Sequence, residues 1–162
     1  MKKIIFLLIF TASSLLLSAQ HPKNLYDTSA NATNDIAKAV EKAANENKHV
    51  LLMGGGNWCS WCRRFNEFMT TDKQLDSIVK ADYVLYHLNF SKENKNQETF
   101  AKYGFAQRFG FPVFIVLDPK GERLHTQNSG LLEEGKGYKK EKVMDFFLQW
   151  NRKAVDANSY KE

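Results

Sequence analysis

The chain has 162 residues, 23 Lys+Arg against 18 Asp+Glu, 43% hydrophobic residues and 13% aromatics. Twelve Phe, six Tyr and three Trp supply the apolar surface that a disordered chain lacks, and the length suits one compact domain burying roughly 68–70% of its unfolded surface. Two cysteines allow at most one bridge, which excludes a disulfide-stapled miniprotein, and no internal repeat marks a solenoid.

Lys2 and Lys3 precede an apolar run, Ile4–Phe10, that continues to Leu15-Leu16-Leu17 and ends in Ser18-Ala19 before the polar Gln20-His21-Pro22. This basic, apolar, small-residue order reads as a secretory signal over residues 1–19, cleaved after Ala19. A membrane anchor is the competing reading. Thr11, Ser13 and Ser14 interrupt the run, however, and a spanning helix needs about 20 apolar residues. No cysteine stands at the cleavage site for a lipoprotein, so an exported, soluble mature protein is expected. Removing the two lysines lowers the formal charge from +5 to +3. The remaining cations, such as Lys38, Lys42, Lys80, Lys102, Lys139 and Lys140, are scattered, which fits a solvated surface and no nucleic-acid partner.

Residues 20–34 are polar and contain Pro22, so they read as an extended arm or linker. Asp35–Ala44 is helical, with Ile36, Ala39, Val40 and Ala43 on one stripe and Asn34 or Asp35 as its cap. His49–Met53 is a buried strand running into Gly54-Gly55-Gly56. From Cys59 onward, Cys62, Phe65, Phe68 and Met69 share a helical face. Thr71 or Asp72 restarts a short helix carrying Leu75, Ile78 and Val79. Tyr83–Phe90 alternates as a strand rich in β-branched and aromatic residues. A helix is expected over Glu98–Arg108, a buried strand over Val113–Leu117, a turn at Asp118–Gly121 and a hairpin partner over Glu122–Gln127. Val143, Phe146, Phe147 and Trp150 mark a last helix near Lys139–Lys153, and residues 154–162 read as a frayed tail. Strands separated by helices imply a parallel pair with right-handed crossovers, and the final hairpin adds an antiparallel edge. The fold class is an α/β sandwich, one domain over residues 35–153.

The chemistry concentrates in Asn57-Trp58-Cys59-Ser60-Trp61-Cys62-Arg63-Arg64, where a strand gives way to a helix. Cysteines at i and i+3 on a first helical turn can close a small disulfide or part as dithiols without unfolding. The helix N-terminus favours the thiolate of the first. Cys59 is therefore the expected exposed nucleophile and Cys62 the resolving thiol. A structural zinc site needs about four ligands. His21, His49, His87 and His125 are isolated, so no metal is expected. An inert structural bridge is the stronger rival, although so short a loop gains little unfolded-state entropy. No nucleotide, flavin or other cofactor fingerprint is present; the glycine run lacks a following Gly-Lys-Ser/Thr and reads as a flexible strand exit.

Trp58-Cys59-Ser60-Trp61-Cys62 after an apolar strand resembles the active-site motif of the thioredoxin family. Gly110-Phe111-Pro112-Val113, about 50 residues downstream, resembles that family's cis-proline loop, and Asn128-Ser129-Gly130-Leu131 its substrate-groove loop. The likeness spans residues 32–153 and implies a thioredoxin-like three-layer sandwich with a central mixed sheet of about four strands flanked by helices. It implies catalysis by Cys59 and Cys62, with Trp58, Ser60, Trp61, Phe111, Pro112 and Gly130 forming the substrate-binding surface. One departure is Met53, standing where the family commonly buries an aspartate. Another is His87, where a lysine is common; it reads either as a proton relay or as a satisfied interior residue. Ser60-Trp61 also lacks the histidine found between the cysteines of strong oxidants, with Arg63 and Arg64 partly replacing its charge. The implied activity is thiol–disulfide exchange, reducing disulfides of exported proteins in the periplasm or outside the cell. An upstream thiol donor, delivered through the membrane, would supply the electrons to a monomeric protein. The alternative is a non-catalytic binding or chaperone module with a locked Cys59–Cys62 disulfide.

Overall fold

A strand buried along its whole length, β1 (His49–Gly55), is the spine of the computed structural model, which describes residues 24–161. The expected signal over residues 1–19 lies outside the described residues. In the four-stranded sheet β1 sits between β2 (Tyr83–Asn89) and β3 (Val113–Leu117), and β4 (Arg123–Asn128) forms the edge beyond β3. The β1–β2 pair is parallel, while β3 runs antiparallel to both β1 and β4, giving a mixed sheet. The helices are α1 (Ala32–Asn45), α2 (Ser60–Thr71), α3 (Lys73–Asp82), α4 (Gln97–Lys102), α5 (Lys140–Gln149) and α6 (Arg152–Val155).

The period-2 alternation of β1 sends its side chains to two separate cores. Leu51 and Met53 join Phe65, Leu75, Phe114 and Phe147 under α2, α3 and α5. Val50 and Leu52 join Ile36, Ala39, Phe100 and Ile115 under α1 and α4. The result is a helix–sheet–helix sandwich of three layers, with β1 and β3 fully buried between them.

Several local expectations are corrected. Helix α1 begins at Ala32, capped by Asn31, whose Oδ1 accepts the Asn34 N–H at 3.1 Å. The described part of the arm or linker expected over 20–34 packs onto the domain: Tyr26 is 1% exposed and sits in the core with Met53 and Cys62. The helix expected over 98–108 stops at Lys102, because Gly104 and Phe105 adopt φ of +81° and +57°. That left-handed pair breaks the helical ladder, and a 3₁₀ turn, Ala106–Phe109, follows. A small hairpin unforeseen in the sequence, β5 (Glu133–Glu134) and β6 (Gly137–Tyr138), precedes α5. The tail is structured too: Asn151 caps α6, and the Tyr160 hydroxyl donates to the Ala154 carbonyl at 2.7 Å.

Candidate active site

The buried end of β1 delivers the chain to the head of α2, and there the two cysteines meet. Cys59 is the N-cap residue of α2, and its Sγ accepts the Cys62 backbone N–H at 3.1 Å. One of the helix's free N–H donors, with the positive end of its dipole, is therefore directed at that sulfur, an arrangement that stabilises a thiolate. The two cysteines form a disulfide. Cys59 is the more accessible, as expected, but only slightly: it is 4% exposed against 0% for Cys62. The cysteine expected to be exposed is thus nearly buried, in a cluster that includes Phe65, Tyr138 and Leu132.

The rim follows the register of the sheet. Gly54 pairs with Val113 in antiparallel register, which puts Pro112, the residue before Val113, at the end of the sheet where β1 leads into the cysteine loop. The Phe111–Pro112 peptide is cis. Trp58 is 60% exposed yet fixed in place: its indole Nε1–H donates to the Phe90 carbonyl at 2.7 Å, and its ring meets Phe111 edge-on with centroids 5.6 Å apart. Trp61 is half-buried edge-on against Tyr138. Ser60 and Gly130 are both exposed. Asn128 pairs with Val113, so the turn carrying Gly130 flanks Pro112. Leu131 in the same turn is 67% exposed. Its apolar side chain stands next to Gly130 in the loop that resembles the family's substrate groove.

The two arginines do different things. The Arg63 guanidinium donates to the Asn57 carbonyl, on the loop that leads into Cys59. Arg64 stacks over Trp61 at 4.7 Å and donates to the Lys136 carbonyl. His87 lies opposite Met53 in the parallel register. Its Nε2 is 3.2 Å from Asn66 Oδ1 and its ring stands edge-on to Tyr26. Desolvation pushes its pKa down to about 4, so His87 is neutral near pH 7.

The glycines after Met53 are not a flexible exit. Gly54 and Gly55 belong to β1, and none of the three has a positive φ. A Cβ on Gly55 would lie 2.5 Å from both Cys62 Sγ and Tyr26 Oη. One on Gly56 would meet the Trp58 indole and the Phe90 carbonyl. These glycines are required for close approach of side chains to backbone. Tyr26 is the site residue that the sequence reading missed. Its backbone N–H and carbonyl are both bonded to the Asn57 side chain, at 3.0 and 2.8 Å. Among the described residues, no group of His, Cys, Asp and Glu could hold a metal ion.

A mixed sheet between helical layers, with a Cys-x-x-Cys disulfide at the head of the helix after its central strand, defines a thioredoxin-like domain. A thioredoxin-like family model matches residues 31–119, over half of the chain, and the chain belongs to that family. It is 26% identical over 105 residues to the thiol:disulfide interchange protein DsbD of Salmonella typhi, a match covering 65% of this chain and 18% of that protein. The chain thus spans less than a fifth of the length of the curated relatives it matches. Among solved structures it is similar to a disulphide isomerase from Xylella fastidiosa Temecula1, with a TM-score of 0.68 and 23% identity over 77% of this chain and 95% of that one. It is also similar to the oxidised DsbD C-terminal domain of Neisseria meningitidis, with a TM-score of 0.53 and 18% identity over 74% of this chain and 96% of that one. These structural likenesses establish the shared fold.

Proposed function

We propose that the protein is a thiol–disulfide oxidoreductase that reduces disulfides of exported proteins. The observation that carries this reading is the Cys59–Cys62 pair at the N-terminus of α2, with the Cys62 N–H already directed at Cys59 Sγ. In the reduced protein that donor and the helix dipole favour the Cys59 thiolate. The thiolate attacks a substrate disulfide and forms a mixed disulfide. Cys62 then attacks Cys59 Sγ, re-forming the internal bond and releasing the substrate thiol. Trp58, Trp61, Phe111, Pro112, Gly130 and Ser60 line the surface on which an extended substrate segment docks. In an oxidising compartment the dithiol must be regenerated by a dedicated thiol donor, and the DsbD relatives, named for thiol:disulfide interchange, support that class of partner. Export rests on the leader over residues 1–19; among the described residues, no helix is long and apolar enough to cross a membrane.

The test is reduction of insulin disulfides by the dithiol form. Cys59→Ser is expected to lower it to the uncatalysed rate, and unchanged reduction would remove Cys59 from the nucleophile's role. A reduction potential near about −270 mV would agree with a reductase, whereas one near about −120 mV would make the protein a disulfide donor. The near-complete burial of Cys59 favours a second reading, a binding module with a locked disulfide. In that case wild type would reduce no insulin and Cys59→Ser would leave partner binding intact.

A further inference from the structure

Tyr26 is contributed by the segment ahead of α1, yet its side chain ends at the resolving cysteine. Its Oη and Cys62 Sγ each lie 2.5 Å from the point where a Cβ on Gly55 would sit, so they are no further apart than the sum of those distances. The hydroxyl is buried and, among the described residues, has no hydrogen-bond partner while the disulfide is closed. A buried hydroxyl left unpaired is costly, and such groups normally find a partner. Met53, at the position where a buried acid would serve Cys62, is wholly apolar and fully buried. Among the described residues, His87 and Tyr138 are titratable groups that face Tyr26. His87 meets only the Tyr26 ring edge, and the Tyr138 hydroxyl donates to the Trp61 carbonyl at 3.3 Å. Neither replaces the missing acid.

We propose that the Tyr26 hydroxyl is a positioning donor for Cys62, hydrogen-bonding its sulfur when the disulfide opens and supporting its thiolate during release of the substrate. This rests on the oxidoreductase reading above. In the step concerned, the Cys62–Cys59 S–S bond forms as the Cys59–substrate S–S bond breaks. The electron pair goes to the substrate sulfur, which takes up the proton that Cys62 gives up. Tyr26 keeps its own proton throughout, since burial raises its pKa further above the ordinary tyrosine value. The hydroxyl gains a partner only in the open form, so it favours the dithiol and makes the protein more oxidising than the Met53 environment alone would allow. Gly55 leaves room for the two groups, and Asn57 clamps the Tyr26 backbone from both sides.

The test is Tyr26→Phe, read by equilibrating the purified protein with defined thiol–disulfide buffers. Loss of the donor is expected to shift the equilibrium about tenfold toward the disulfide, a potential about 30 mV more negative. Release from a preformed mixed disulfide should slow by about threefold, because the fall in thiolate fraction is partly offset by the greater nucleophilicity of a more basic thiolate. Asn57→Ala keeps the hydroxyl but frees its backbone, and should move the potential in the same direction; it carries the test if Tyr26→Phe does not fold. An unchanged or less negative potential would overturn the proposal, assigning Tyr26 to packing alone. The potential is a property of this protein's own disulfide. A chain that reduces no insulin would therefore refute the oxidoreductase reading while the Tyr26 test kept its meaning.

Discussion

At Gly55 the volume of one methyl group is already occupied by the Cys62 sulfur and the Tyr26 hydroxyl. Gly55→Ala is therefore expected to overpack the site and cost about 1–3 kcal/mol of stability in a urea titration of the oxidised protein. A variant as stable as wild type would mean that the two side chains can move apart freely. The cysteines, Trp58 and Pro112 were legible in the sequence because a short motif carries them at fixed spacing. Tyr26 was not, because no periodicity exists in a segment of a few residues. Its burial depends on the amide of Asn57, 31 residues away. The glycine run was visible but misjudged: its need for close packing follows only from what lies opposite each Cα.

Element α2 does two jobs at once, presenting sulfur at its head and anchoring the core along one face. Phe65, one turn beyond Cys62, packs with Phe114 at a centroid distance of 4.4 Å and edge-on with Tyr138 at 4.8 Å. Phe65→Ala is expected to cost about 3–5 kcal/mol, read as a lower denaturation midpoint. The same variant tests whether the head of α2 is held by this cluster, since loosening it should make the disulfide more accessible to a reductant. The main strands and helices were legible from different signals: β1 from a short continuous apolar run, β2 from alternation and α1 from its helical stripe. The end of α4 was not, since Phe105 is a poor candidate for a left-handed φ and gives no local warning. The β5–β6 hairpin pairs only two residues per strand, too few for an alternation to show.

Across the whole molecule, two histidines link stability to pH. Burial lowers the pKa of both His49 and His87, the latter to about 4. An unfolded chain takes up these protons near pH 6.5, whereas the folded protein resists protonation of His87 down to about pH 4. More protons are then bound in the unfolded state, so stability is full above pH 6.5 and falls as the pH drops toward 4. The His87 share is up to about 3 kcal/mol. Urea titrations between pH 7 and 4 should show this slope, and His87→Gln, which can still donate to Asn66, should flatten it. An equal slope in that variant would place the proton uptake elsewhere.

The clamp between Asn57 and Tyr26 has a geometric consequence. It pins the incoming chain at the pole of the sheet where β1 ends and the disulfide lies. The outgoing chain sits at the other pole, where the Trp150 carbonyl meets His49 and Asn151 bonds Asp82, a strand's length of about 20 Å away. Cargo, label or solid support joined at Leu25 would stand at the redox pole, whereas the same attachment beyond Tyr160 would leave that pole facing outward. The molecule is thus polar in its wiring, with its reactive pole at the side from which the chain arrives.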